Sequence, residues 1–90
     1  MPTAIVTGGA IRIGQAMALH LARKGFNIAL LYHSSGEASE NTIKEVQSHG
    51  VQCQGYAADL RNLKEAELFI GKTLKDFDDI ELLVNSAANF

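Results

Sequence analysis

The sequence predicts a doubly wound α/β fold on a parallel sheet, and two observations carry that expectation. Four short apolar runs alternate along the 90 residues with three stretches whose apolar positions recur at helical spacing. The first two runs are continuously apolar rather than alternating, which suits strands covered on both faces. The composition agrees. Hydrophobic residues make up 47% and charged residues 20%, with a single proline, as in an ordered globular chain. Ninety residues form one domain at most.

The elements follow in order. Ala4-Ile5-Val6 is a β-branched run that meets a turn at Thr7-Gly8-Gly9. Ile13, Ala16, Met17, Ala18, Leu21 and Ala22 then form a helical stripe, and Gly25 stops it in the position after the C-cap. Ile28 to Tyr32 is the second strand. Ser34-Ser35-Gly36-Glu37 has the form of a capping box, and a helix from about Gly36 to His49 follows, with Ala38, Ile43 and Val46 inward. Gly50 closes that helix. Val51 to Ala58 is less apolar and therefore sits nearer a sheet edge. Asn62-Leu63-Lys64-Glu65 is another capping box. It opens a helix with Leu63, Ala66, Phe69, Ile70, Leu74 and Phe77 on one stripe. Asp76, Asp78 and Asp79 read as a solvated turn before a fourth strand, Ile80 to Asn85. Right-handed crossovers give the strand order 3-2-1-4.

Several functional classes are set aside by these numbers. A formal net charge of −2 gives no basic surface for nucleic acid or an anionic membrane. The apolar runs are too short to span a bilayer, and Met1-Pro2-Thr3 leads directly into a strand. Cys53 is the only cysteine, so no disulfide forms within the chain. A buried thiol in a reducing cytoplasm is the expectation. No metal constellation and no Ser/His/Asp set is present. His20 and His49 stand on helices without partners at ligand spacing.

The chemistry concentrates where strands end. Thr7 to Gly14 follows a strand and opens a helix, the context of a Rossmann dinucleotide fingerprint. Gly8 lets the chain turn off the strand, and Gly14 lets the helix approach the sheet. The free N–H groups of the helix start then face a pyrophosphate. Such a turn can equally be structural, and Arg12 stands where the literal pattern has its middle glycine. The second strand ends in Tyr32-His33-Ser34-Ser35, without the Asp or Glu that accepts from an NAD ribose. His33 and the serine hydroxyls can donate to a 2′-phosphate instead, although Ser34 serves equally as a helix cap.

Thr7-Gly8, three residues, Arg12, one residue and Gly14 resemble the motif of the short-chain dehydrogenase/reductase superfamily, in its pteridine-reductase variant. The resemblance continues at Leu31 to Ser35, at Ala58-Asp59-Leu60 and at Leu83 to Ala87. It implies an NADP(H)-dependent oxidoreductase acting on a small carbonyl or dihydropteridine. It implies cofactor contacts from Thr7, Gly8, Arg12, Ile13 and Gly14 at the turn, and from His33 and Ser34 at the 2′-phosphate. Asp59 and Leu60 would line the adenine pocket, Asn85 and Ala87 the sheet end beneath the cofactor. Phe90 would stack on a flat substrate. Four departures stand out. Ser34 replaces the usual Arg after His, Arg12 the more common Gly, Ser86 the second Asn, and Ala88 the usual Gly or Ser.

The superfamily's proton donor is a Tyr four residues before a Lys, with a Ser upstream. Gly36 lies four after Tyr32 and Leu60 four after Tyr56, so neither tyrosine fits and no catalytic residue is assigned. The chain is therefore expected to be the N-terminal dinucleotide-binding half, residues 1–90, of such an enzyme. It reads as a cytoplasmic fragment cut off after the fourth strand and inactive by itself. Leu82, Leu83 and Val84 would then form an unpaired apolar edge, and self-association into a homo-oligomer is expected. Two other readings stay open, a non-catalytic nucleotide-binding module and a piece of a 3-oxoacyl thioester reductase.

Overall fold

β1 (Thr3–Thr7) forms because its β-branched residues fit a strand buried on both faces, and Ala4 and Val6 are completely buried. A computed structural model describes residues 2–8, 12–33 and 36–85. After β1 come α1 (Arg12–Arg23), β2 (Asn27–Tyr32), α2 (Gly36–Gln47), β3 (Cys53–Ala57), α3 (Leu63–Asp76) and β4 (Ile80–Asn85). All strand pairs are parallel, and the sheet order is β3-β2-β1-β4, as the alternation predicts. β3 lies at an edge, in keeping with its weaker apolarity. The Ser34-Ser35 part of the capping box before α2 lies outside the described residues.

The two faces of β2 divide the core. Ile28 and Leu30 point to one side, where Ala18, Leu19 and Ala22 of α1 and Val46 of α2 pack with Ala4, Val6 and Cys53. Ala29 and Leu31 point to the other, against Tyr56, Ala58, Phe69 and Phe77. The period-2 alternation of a strand thus puts two helices on one face and α3 on the other. Tyr56 and Phe69 meet edge to face, with ring centroids 5.5 Å apart.

Helix faces depart from the expected stripes. In α1 the buried residues are Gly14, Ala18, Leu19 and Ala22, whereas Ile13 is 71% exposed and Ala16 and Met17 are exposed. Gly14, Ala18 and Ala22 recur every four residues, and their small size lets the helix lie close to the sheet. In α2 the fully buried positions are Ser39, Thr42 and Val46, with Ala38 and Ile43 half-buried. No buried side-chain nitrogen or oxygen among the described residues lacks a hydrogen-bond partner, so those hydroxyls can stay inside. In α3 only Phe69 and Thr73 are buried, with Phe77 as C-cap, and Leu63, Ile70 and Leu74 face outward. Thr73 Oγ1 donates to the Phe69 carbonyl at 2.8 Å, which satisfies the hydroxyl within the helix.

The α1 ending matches the expectation, and the two ends of α3 depart from it. The Gly25 N–H donates to Ala22 and the Phe26 N–H to Leu21, both at 3.0 Å, which is a Schellman ending. Gly25 takes φ +94°, a conformation that other residues reach only with strain. At α3, Asn62 Oδ1 accepts from the Glu65 N–H at 3.2 Å. Glu65 does not complete the box on the Asn62 amide, which donates to the Asp59 carbonyl instead; its carboxylate accepts from the Asp59 N–H at 3.0 Å. Nor is the turn after α3 wholly solvated, because Tyr56 Oη donates to Asp76 Oδ2 at 2.7 Å. Burial and this bond both push the Tyr56 phenol upward.

Cys53 is buried, and burial alone pushes its thiol up to about 12, so it packs rather than reacts. His20 and His49 are exposed. No helix of the described residues is long and apolar enough to cross a membrane, and no group among them could hold a metal ion. β4 pairs with β1 alone among the described strands; Leu82 and Leu83 are 37% and 65% exposed. The difference between faces is measurable. Leu30→Ala is expected to cost about 2–5 kcal/mol, and Leu63→Ala less than about 0.5 kcal/mol. Urea denaturation followed by circular dichroism checks both, and equal losses would contradict this core.

Candidate functional site at the carboxyl edge of the sheet

Parallel pairing brings the ends of all four strands to one edge. Thr7 stands beside Leu31 on one side and Asn85 on the other, and Leu31 stands beside Tyr56. The pairing continues past the strands. The Gly8 N–H donates to the Leu31 carbonyl at 2.8 Å, and the Ala58 N–H donates to the Tyr32 carbonyl at 3.0 Å. Gly8 has φ +67°, so the chain leaves β1 through a left-handed residue. α1 then starts at Arg12, with Gly14 buried beneath it and Ile13 open to solvent.

Thr7 and Asn85 meet directly. Thr7 Oγ1 donates to Asn85 Oδ1 at 2.8 Å, and the Val84 carbonyl lies 3.4 Å away. Both residues were expected at the site, but their contact links positions 78 apart in the chain, and no local pattern reveals it.

The ends of β2 and β3 form a charged cluster. His33 Nε2 lies 3.8 Å from Asp59 Oδ2. Arg61 grips the same carboxylate: its Nε donates to Oδ1 at 3.0 Å and its Nη2 to Oδ2 at 3.1 Å. The Arg61 amide adds a bond to Oδ1 at 3.0 Å. Two parallel N–H···O bonds make this a fork-on-fork pair. The Arg61 side chain, then its amide, hold the Asp59 carboxyl at about 2, well below the usual range, with His33 adding a smaller pull. Arg61 escaped the sequence reading. The only available signal was an Asp-x-Arg spacing after a strand, which pairs side chains only when the backbone turns there.

The remaining expected residues divide as follows. Leu60 sits in the same turn, 44% exposed. Arg12 opens α1. Ser34, Ala87 and Phe90 lie outside the described residues. The donor set suits a nucleotide bearing phosphate. A positive-φ glycine leads toward a helix start, and an imidazole and a guanidinium stand at the neighbouring strand ends.

Comparison with known proteins agrees with this geometry. Residues 2–89 match the short chain dehydrogenase family, and the chain belongs to it. The uncharacterized oxidoreductase YohF of Escherichia coli strain K12 is 40% identical over 84 residues, which are 93% of this chain and 33% of that protein. The 3-oxoacyl-[acyl-carrier-protein] reductase FabG of Staphylococcus aureus strain Mu50 is 33% identical over 85 residues, 94% of this chain and 35% of FabG. Among solved structures, acetoin dehydrogenase YohF from Salmonella typhimurium aligns with a TM-score of 0.90 at 32% identity, covering 100% of this chain and 37% of its own. NAD+-bound xylitol dehydrogenase aligns with a TM-score of 0.86 at 33% identity, covering 91% and 31%. The chain thus spans about a third of the length of these relatives. None of these four bears the name of a pteridine reductase.

The Asp59 pair has a definite signature in acid. A folded-state carboxyl held low contributes stability above the unfolded-state value, and that contribution is lost as pH falls through about 2. A carboxyl-carbon NMR titration is expected to place the Asp59 midpoint near 2, and Arg61→Ala to return it toward the ordinary carboxylate value of about 3.9. An unchanged midpoint in the variant would mean that Arg61 is not the cause.

Proposed function

We propose that this chain forms the NADP(H)-binding part of an oxidoreductase that reduces a small carbonyl compound. The observation that carries the reading is the end of β2. Tyr32-His33-Ser34-Ser35 offers donors and no acid of its own, where an NAD site holds a carboxylate for the ribose. Among the described residues, the carboxylate of Asp59 approaches His33, and it is paired with Arg61.

In this reading the Thr7–Gly14 turn, with Gly8, Arg12, Ile13 and Gly14, follows the pyrophosphate. His33 and Ser34 donate to the 2′-phosphate. Asp59 and Leu60 border the adenine, Asn85 and Ala87 lie beneath the nicotinamide side, and Phe90 stacks on substrate. The Thr7–Asn85 bond holds the ends of β1 and β4 together, so the floor under the cofactor keeps one shape. The bound nicotinamide supplies the hydride. A proton donor of the Tyr-Lys type is not among these 90 residues, since neither Tyr32 nor Tyr56 precedes a Lys by four.

Carbonyl reduction draws support from the names of relatives, acetoin dehydrogenase and 3-oxoacyl reductase. A 3-oxoacyl thioester substrate is the second reading, favoured by the likeness to FabG. A dihydropteridine substrate rests on Arg12 and Phe90 and is weakened by Ala88, which has no hydroxyl to offer. A cytoplasmic location and a homo-oligomeric assembly complete the proposal. The free, buried Cys53 suits the first, and the exposure of Leu82 and Leu83 on β4 suits the second.

Two measurements test this. Calorimetry is expected to show NADP bound more tightly than NAD, with His33→Asp reversing the order because it restores the carboxylate; tighter binding of NAD by the unsubstituted protein would refute the cofactor assignment. The purified 90 residues are expected to oxidise no NADPH above background with acetoin, a 3-oxoacyl thioester or a dihydropteridine, and turnover by protein of verified mass would contradict the missing proton donor.

A further inference from the structure

We infer that Arg61 is a determinant of 2′-phosphate recognition, supplying the cation that the end of β2 lacks. The inference rests on the NADP(H) reading and adds to it a residue from a different strand end.

Three observations lead there. First, the end of β2 carries no guanidinium or ammonium: His33 is followed by Ser34 and Ser35, and the next charged residue is Glu37. An imidazole and hydroxyls donate to phosphate, but they lack the planar, permanently charged fork of a guanidinium. Second, the position is not free of acid. Asp59 Oδ2 lies 3.8 Å from His33 Nε2, close enough for its charge to oppose a phosphate at that imidazole. Third, Arg61 binds this same oxygen with Nη2 and the other with Nε. It cancels the carboxylate charge where a phosphate at His33 would meet it.

The guanidinium has donors left over. It carries five N–H groups in a rigid plane, and the two bonds to Asp59 use Nε–H and one hydrogen of Nη2. Three remain, two of them on Nη1. The Arg61 side chain is 64% exposed and His33 is 60% exposed, so both can reach a ligand from solvent. Asp59 fixes the orientation of the fork, which reduces the rotamer freedom lost when a phosphate is bound. The other carboxylate of this turn, Glu65, accepts from the Asp59 amide. An imidazole and a planar donor with spare N–H groups thus flank one carboxylate, and in this proposal the phosphate is met by His33 and by the free edge of the Arg61 fork, not by the edge that Asp59 holds.

A purely structural Arg61 would only stiffen the β3–α3 turn. Stiffening affects every adenine nucleotide alike, whereas phosphate recognition affects only those with a 2′-phosphate. The test is therefore a ratio. Binding of 2′,5′-ADP and of 5′-AMP, which differ only in the 2′-phosphate, is measured by calorimetry on the full chain, for the unsubstituted protein, Arg61→Ala and Arg61→Lys. Arg61→Ala is expected to weaken 2′,5′-ADP about ten-fold while 5′-AMP changes less than about two-fold. Arg61→Lys keeps the charge without the fork and is expected to fall between. Thermal melting of each variant verifies the fold, and the Lys variant keeps the comparison if Ala destabilises the turn. If the unsubstituted protein prefers 2′,5′-ADP and neither variant alters the preference, the Arg61 assignment is overturned and the NADP(H) reading stands. If the unsubstituted protein shows no preference, both fall.

Discussion

A parallel sheet has all its carboxyl ends on one edge, and in this chain that geometry is held by β1. Its residues pair with β2 and β4 at once, with Thr3, Ala4, Val6 and Thr7 buried. Because β1 is central, the turn after it falls between the ends of its two neighbours. Gly8 is tied to Leu31 on one side, and Thr7 to Asn85 on the other. The helix that follows then starts above the edge, with its N-terminus at Arg12. Loss of the β1 register would part Thr7 and Gly8 from Leu31 and Asn85, whereas the His33–Asp59 contact rests on the separate pairing of β2 with β3.

The charged cluster shows how a short turn can alter the meaning of a strand end. Exposed ion pairs add little to stability, and the bonds from Arg61 to Asp59 span only two residues. Their effect is on the field at the edge. Asp59 remains ionised, yet it faces His33 as part of a neutralised pair. Whether an acid near a nucleotide site attracts a ribose hydroxyl or tolerates a phosphate thus depends on the third residue of the turn as well as on the acid. Asn62 and Glu65 hold that turn against the start of α3 through bonds to the Asp59 backbone.

The same structure separates apolar composition from burial. α3 carries Leu63, Leu68, Ile70 and Leu74, and all four are exposed. α2 buries Ser39 and Thr42 completely. Size and hydrogen bonding explain the reversal better than hydropathy. A helix lying close to a sheet needs small side chains at the contact, and a buried hydroxyl is tolerated once it has a partner. In α1 this favoured Gly14, Ala18 and Ala22 over Ile13 and Met17.

The amino-acid sequence by itself determined the element order, the parallel sheet, the place of β3 at an edge and the helix ending at Gly25. Each follows from local patterns: continuous apolar runs, helical periodicity, and glycine where φ must be positive. It also set Thr7, Gly8, His33, Asp59 and Asn85 at strand ends, and the resemblance of their motifs to one family suggested a nucleotide there. Tertiary structure alone decided which helix faces turn inward, that Thr7 bonds Asn85, that Tyr56 reaches Asp76, and that Arg61 rather than His33 dominates the charge of Asp59. Those outcomes depend on distances between separate elements and on the path of one turn, and neither is encoded in the periodicity of any single segment.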